Sequence, residues 1–203
     1  MAKTEKIMTS REKILAAVKE SQPELTPLPS LDLFYQNQDS AAENLKNFIA
    51  VVQRIGSTVY EVESYEQIII QIKADFDLAG KRVVSAVREL DVIAKEYSEA
   101  DNHELADVEL MILPTHFAVA ENGACWVNDE LYHERLLPFI PQHLVFVVEK
   151  EKIIATMHNA YDLIADKSYG FGAFIAGPSK TADIEQSLVL GAHGPRSLIV
   201  FVI

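Results

Sequence analysis

Residues 39–87 alternate helix and strand signals at a pitch that points to one class of fold. Residues 39–55 carry Leu45, Phe48, Ile49, Val52 and Ile55 on an i, i+3, i+4, i+7 stripe, as in a helix with one apolar face. Ser40 and Glu43 have capping-box spacing, and Gly56 stands where a left-handed residue closes a helix. Residues 57–62 then read as a strand. A second box, Ser64 and Gln67, opens a helix over residues 65–76, with Ile68, Ile69, Ile72 and Phe76 on one side. Gly80 ends that unit, and residues 82–87 form the next strand. Parallel strands need a crossover connection, and a helix supplies it. The pattern therefore predicts an α/β fold with a mostly parallel sheet covered on both faces.

The flanking segments fill in around this frame. Thr9 to Ser21 has the spacing of a short amphipathic helix, with Ser10 able to cap its start. Pro23, Pro27 and Pro29 make residues 22–30 an extended linker. The domain reading is thus an arm and linker over residues 1–30 and an α/β domain over 31–203. The arm is either a domain edge or an interaction element. Residues 91–98 suggest a helical turn, and residues 107–113 (DVELMIL) a buried strand closed by Pro114. Residues 116–120 and 124–127 form two short strands around Glu121-Asn122-Gly123, where Asn-Gly is a strong turn signal. A short helix over residues 130–137, a strand over 144–148 and a longer helix over 151–166 follow.

Composition bounds the function. The 203 residues carry a net charge of -12, which argues against nucleic acid as a partner, because a phosphate backbone needs a Lys/Arg surface. With one cysteine, Cys125, the chain by itself forms no internal disulfide and no cysteine-ligated iron–sulfur cluster. Cys125 reads as a small buried hydrophobe. No apolar run reaches the roughly 20 residues of a membrane span, and the first residues lack the apolar centre of a secretory signal. A cytoplasmic chain is expected. The histidines show no metal-ligand spacing, so neither a metal nor another cofactor is expected in this chain.

Three groups of residues are candidates for chemistry. In the first, residues 173–176 form a strand, Gly177-Pro178 turns the chain, and Ser179-Lys180-Thr181 opens a helix that ends near Gly191. Free N–H groups at a helix start favour anions, so Ser179, Lys180, Thr181 and Asp183 outline a cradle for a phosphate or carboxylate. The plain alternative is an ordinary cap, with Asp183 a first-turn acid. In the second, Gly191-Ala192-His193-Gly194-Pro195-Arg196 is a tight loop before the last strand, at residues 197–203. His193 and Arg196 there either orient a ligand or simply belong to the turn. The third is Glu121, whose carboxylate is either a nucleophile or general base or a solvated turn residue.

Residues 174–203, FIAGPSKTADIEQSLVLGAHGPRSLIVFVI, resemble the C-terminal signature of the LUD-domain family, the lactate utilisation protein C or YkgG-like proteins. The family pattern there is GPS-[RK]-TADIE followed by G-x-HGP-[RK]. Residues 118–128, AVAENGACWVN, resemble the family's AIAETGT-type turn, with Asn122 where Thr is common. The resemblance is close over residues 107–203 and general before that. It implies a NagB/RpiA/CoA-transferase-like fold, a three-layer α/β/α sandwich. It also implies a component of a lactate-oxidation system, an accessory subunit beside iron–sulfur lactate-utilisation proteins. Asn122, Gly123, Gly177, Ser179, Lys180, Thr181, Asp183, His193, Gly194 and Arg196 would then line a small-anion pocket, with Glu121 on its far wall. Ala120-Glu121-Asn122-Gly123 is also similar to the turn that presents the catalytic glutamate of class I CoA-transferases. A transferase or sugar-phosphate-type enzyme using Glu121, and a carboxylate-sensing module, therefore remain alternatives. Homo-oligomerisation stays open.

Overall fold

The computed structural model describes residues 8–35, 40–94, 105–182 and 188–203. Residues up to 36 and from 37 onward form two separate units. In the first, helix α1 (Ser10–Glu20) is capped by Thr9, whose side chain accepts from the Glu12 N–H while Glu12 reaches back. Thr9 rather than Ser10 is the cap, one residue earlier than expected. No residue of α1 is buried. A short helix, α2 (Asp32–Tyr35), follows the proline linker.

The second unit is built on a five-stranded parallel sheet. Its strands are β1 (Thr58–Glu61), β2 (Arg82–Ser85), β3 (Val108–Pro114), β6 (His143–Val148) and β11 (Ser197–Val202), in the spatial order β1-β11-β6-β3-β2. Side chains alternate between its faces. Met111, Leu113, Leu144, Phe146, Val148, Leu198 and Val200 join Phe48 and Val52 of α3 (Ala41–Arg54) in one core. Leu110, Ile112, Val145, Val147, Ile199 and Phe201 join Ile68 and Ile72 of α4 (Tyr65–Asp75) in another. The α/β class with a mostly parallel sheet covered on both faces is therefore observed. The capping box at Ser40 and Glu43 forms, with reciprocal bonds of 3.3 and 3.1 Å. The box at Ser64 does not: Gln67 Oε1 accepts instead from the Glu63 N–H at 2.9 Å.

A second, four-stranded sheet covers the α3 side. It contains β4 (Phe117–Val119), β5 (Cys125–Asn128), β7 (Ile153–Ile154) and β8 (Gly172–Ile175), in the order β7-β4-β5-β8. Ala118, Cys125, Val127 and Ile153 face the shared core. Phe117, Val119 and Trp126 face outward onto Ala160 and Ile164 of α5 (Met157–Ile164).

The expected helix over residues 151–166 is thus too long. Ile153 and Ile154 pair in parallel with Ala118 and Val119, and the helix begins only after Thr156, which caps the Asn159 N–H at 3.3 Å. Residues 130–137 form turns rather than a helix, with bonds such as Leu137 N–H to the Glu134 carbonyl. The helical turn expected over residues 91–98 is a 3₁₀ turn at Arg88–Leu90 followed by a turn, and residues 95–98 lie outside the described residues. No helix among the described residues is long and apolar enough to cross a membrane.

Trp126 pins the second sheet. Its ring lies 4.5 Å from Phe174 and 5.3 Å edge-on to Tyr169, centroid to centroid. A Cβ placed on Gly172 would lie 2.4 Å from the indole, so that strand position requires glycine. Replacing Gly172 by Ala should destabilise the protein by about 1–3 kcal/mol, the usual cost of overpacking. Trp126 is the single tryptophan, so denaturant unfolding followed by its emission should show both a lower midpoint and a shifted native spectrum. An unchanged midpoint would show that the indole has room to move.

Candidate functional site

The first candidate group does not form a helix start. Lys180–Ala182 is a strand, β9, paired antiparallel with β10 (Leu188–Leu190). Thr181 stands opposite Val189, and the Ser179 carbonyl accepts from the Gly191 N–H at 3.0 Å. The predicted helix from Ser179 to Gly191 is overturned at both ends. The Ser/Lys/Thr run resembles a cap in composition, but cross-strand pairing won over that local preference. Asp183 and the rest of residues 183–187 lie outside the described residues. With no helix starting at Ser179, the dipole argument for an anion there is removed.

These residues instead gather at the end of α3. Lys180 Nζ donates to the carbonyl of Ile55, the residue that closes that helix. A cation belongs at this pole, where unpaired carbonyls carry partial negative charge. Gly177 fits against the same carbonyl, and a Cβ on it would lie 3.2 Å from the oxygen. Gly123 also packs on this residue, its Cβ position 3.2 Å from Ile55 Cδ1. Both glycines have positive φ, 83° and 72°, a region that a β-carbon disfavours. The structure thus brings Gly123, Gly177 and Lys180 together around Ile55.

The loop at residues 191–196 packs beside them. The Ser179 N–H donates to the Pro195 carbonyl at 2.9 Å, and a Cβ on Gly194 would lie 3.2 Å from Ser179 Cβ. The Arg196 N–H donates to the Gln142 carbonyl at 2.8 Å. Residues 142 and 196 immediately precede β6 and β11, and Ile55 lies just before β1. The signature therefore lies at the N-terminal ends of β1, β6 and β11. Ligands of open α/β sheets usually bind at the opposite, C-terminal ends. His193 is exposed.

Glu121 sits apart in its bonding. Its carboxylate accepts from the Met157 N–H at 2.8 Å and so satisfies the first turn of α5, a position that suits an anion. Asn122 Oδ1 accepts from the Ala124 N–H at 3.0 Å and completes the hairpin turn. Cys125 is fully buried, which pushes its thiol up to about 12.

Several cavities among the described residues lie outside this region, two of them large. One, of about 720 Å³, includes Ser85 and Ala86 at the C-terminal end of β2, with Arg88, Tyr132 and His133. The other, of about 550 Å³, has Phe117, Trp126 and Tyr169 beside His116, Asn128 and Glu130. Sequence reasoning passed over Asn128 and Glu130. The available signal was the period-2 alternation of β5, which puts Asn128 on the same face as Trp126. No group of three or more potential metal ligands occurs among the described residues.

Two outcomes follow from this bonding. Lys180→Met should lower stability by about 1 kcal/mol, the scale of a cation at a helix C-terminus, read as a shift in urea midpoint. An unchanged midpoint would remove the capping role. Cys125 in the native protein should resist an aromatic disulfide reagent at pH 8, and one thiol should titrate once guanidinium unfolds the chain. Rapid native reaction would contradict its burial.

Comparison with known proteins places this architecture. The family model of the LUD domain matches residues 11–203. Lactate utilization protein C of Bacillus pumilus (strain SAFR-032) is 30% identical over 115 residues, covering 53% of this chain and 48% of that protein. The protein of the same name from Anoxybacillus flavithermus (strain DSM 21510 / WK1) is 32% identical, covering 51% and 48%. The chain thus aligns with about half the length of these relatives. Uncharacterized protein NMB1437 of Neisseria meningitidis serogroup B (strain ATCC BAA-335 / MC58) is 23% identical over 97% of this chain and 94% of its own length. A crystal structure of a DUF162 family protein from Deinococcus radiodurans has the same fold, with a TM-score of 0.57 at 20% identity, covering 81% of this chain and 98% of that one. The chain belongs to the LUD domain family.

Proposed function

We propose that this chain is a component of an L-lactate-oxidation system and acts as an accessory subunit beside partners that carry iron–sulfur clusters. The observation that carries the reading is the family match over residues 11–203, together with relatives named for lactate utilization. A single cysteine leaves this chain without the thiolates of a cysteine-ligated cluster, which agrees with clusters carried by partners.

The bonding of the signature and of the Glu121 turn supports structural roles for both. Lys180 is engaged with Ile55, and Glu121 with the Met157 N–H. A transferase reading needs a carboxylate free to attack an acyl group, and no feature of the turn favours that over the role at α5. A small-anion pocket made by Ser179, Thr181, His193 and Arg196 has lost its helix N-terminus and needs a different source of affinity. A partner-docking role suits α1, which buries none of its own residues and carries Ile14, Leu15 and Val18 exposed.

Deleting the coding sequence in the source organism should abolish growth on L-lactate and spare growth on glucose. Complementation with the full chain should restore it. A chain lacking residues 1–21 should fold normally and fail to co-purify iron-bearing partners. A deletion strain that oxidises L-lactate at the parental rate would overturn the proposal. Undiminished co-purification by the shortened chain would remove the arm from the interface.

A further inference from the structure

The cavity of about 550 Å³ beside α5 is lined half by apolar and aromatic residues and half by polar or charged ones, Glu151, Lys152 and Lys167 among them, and its volume suits a small molecule. Its apolar part combines Phe117 and Trp126 of the second sheet with Ile154, Leu163 and Ile164 and the ring of Tyr169. The indole is held in place from several sides: Phe174 and Tyr169 pack on it, and it lies over Gly172. An aromatic wall fixed in this way loses little freedom when a flat ligand packs against it.

The polar end is equally ordered. Asn128 Nδ2 donates to Glu130 Oε2 at 3.1 Å, and Asn128 Oδ1 accepts from the Glu130 N–H at 3.1 Å. His116 Nε2 lies 2.7 Å from the same Oδ1. A carboxylate only accepts, so the amide nitrogen must face Glu130 and the amide oxygen must face His116. His116 is therefore the donor through Nε2. Glu130 Oε2 accepts one bond from Asn128 and lies 3.8 Å from His116 Nε2, while the side chain as a whole is 62% exposed, which leaves Oε1 accessible to a further donor. Glu130 and Glu151 are matched by Lys152 and Lys167 in the same lining, so the cavity carries no formal charge excess that would select a charged ligand.

We propose that this cavity binds a flat, uncharged aromatic compound carrying an N–H or O–H donor. The ring packs against the exposed Tyr169 and Leu163 beside the small accessible part of Trp126, and the donor bonds to Glu130. The site lies away from the signature around Ile55, and it stands independently of the lactate reading.

Trp126 is the only tryptophan, so its emission reports directly on this cavity. The probe is 4-nitroaniline, neutral at pH 7, a donor, and a quencher of indole emission. It should quench saturably. N,N-dimethyl-4-nitroaniline, which lacks the donor, and the anion 4-nitrobenzoate should bind at least tenfold more weakly. Glu130→Leu should weaken the aniline at least fivefold. Leu163 is half exposed, so Leu163→Phe should fold normally and should also weaken binding at least fivefold by filling the apolar side. Near-ultraviolet circular dichroism checks that both variants keep the native fold. Quenching that rises linearly with probe, or affinity unchanged in either folded variant, would overturn the site. Tighter binding of the dimethyl compound or of the anion would overturn the assigned ligand class.

Discussion

The fold depends on burying the central strands of a parallel sheet on both faces at once. Such strands cannot alternate apolar with polar residues, because neither face meets water. In β6, Leu144 to Val148 are all buried, odd and even positions going to different cores. In β11, Leu198 to Val202 do the same. Each such side chain contributes on the order of 1.5–3 kcal/mol on transfer from water. That contribution requires a covering layer on each side. One face is covered by α4, the other by α3 together with the second sheet. The second sheet is needed because α3 is a single helix and the face it covers is five strands wide. Ala118, Cys125, Val127 and Ile153 complete that layer.

This requirement gives the C-terminal signature its physical sense. The end of α3 must be closed where the chain turns into β1, and its last carbonyls need partners. Lys180 supplies a cation to the Ile55 carbonyl, while Gly177 and Gly123 allow two turns to approach the same residue. Glu121 does the corresponding task at α5, an anion at a helix start. Charged residues beside glycine-rich turns invite a reading as ligand-binding groups. Here Lys180 and Glu121 complement opposite poles of two helices.

The regular core was legible in the sequence because its signals are local and agree with one another. The stripe from Leu45 to Ile55, the box at Ser40, the glycine at 56 and the Asn122-Gly123 turn all specify structure that forms. Both misread segments carry helix-compatible patterns and are recruited as strands, but by different routes. Ile153-Ile154 pairs with Ala118-Val119, and pairing across 35 residues leaves no mark in the local period. Lys180-Thr181-Ala182 pairs with the nearby residues 188–190 as a hairpin, where the cap-like Ser/Lys/Thr composition masks the strand signal. The candidate site suffered more than the fold. Its anion argument rested on a helix beginning at Ser179, and the segment became a hairpin.

The same second sheet that completes the core also produces the aromatic cavity. A strand has two faces, and once Ala118, Cys125 and Val127 are committed to the core, Phe117, Trp126 and Asn128 must point the other way. Helix α5 covers part of that outer face through Ala160 and Ile164, but it is only eight residues long. At roughly 1.5 Å per residue it spans about 12 Å. Phe117, Trp126 and Asn128 are buried, and the cavity opens beside them at the more exposed Leu163 and Tyr169. A gap left by packing alone needs no chain of bonds from His116 through Asn128 to Glu130.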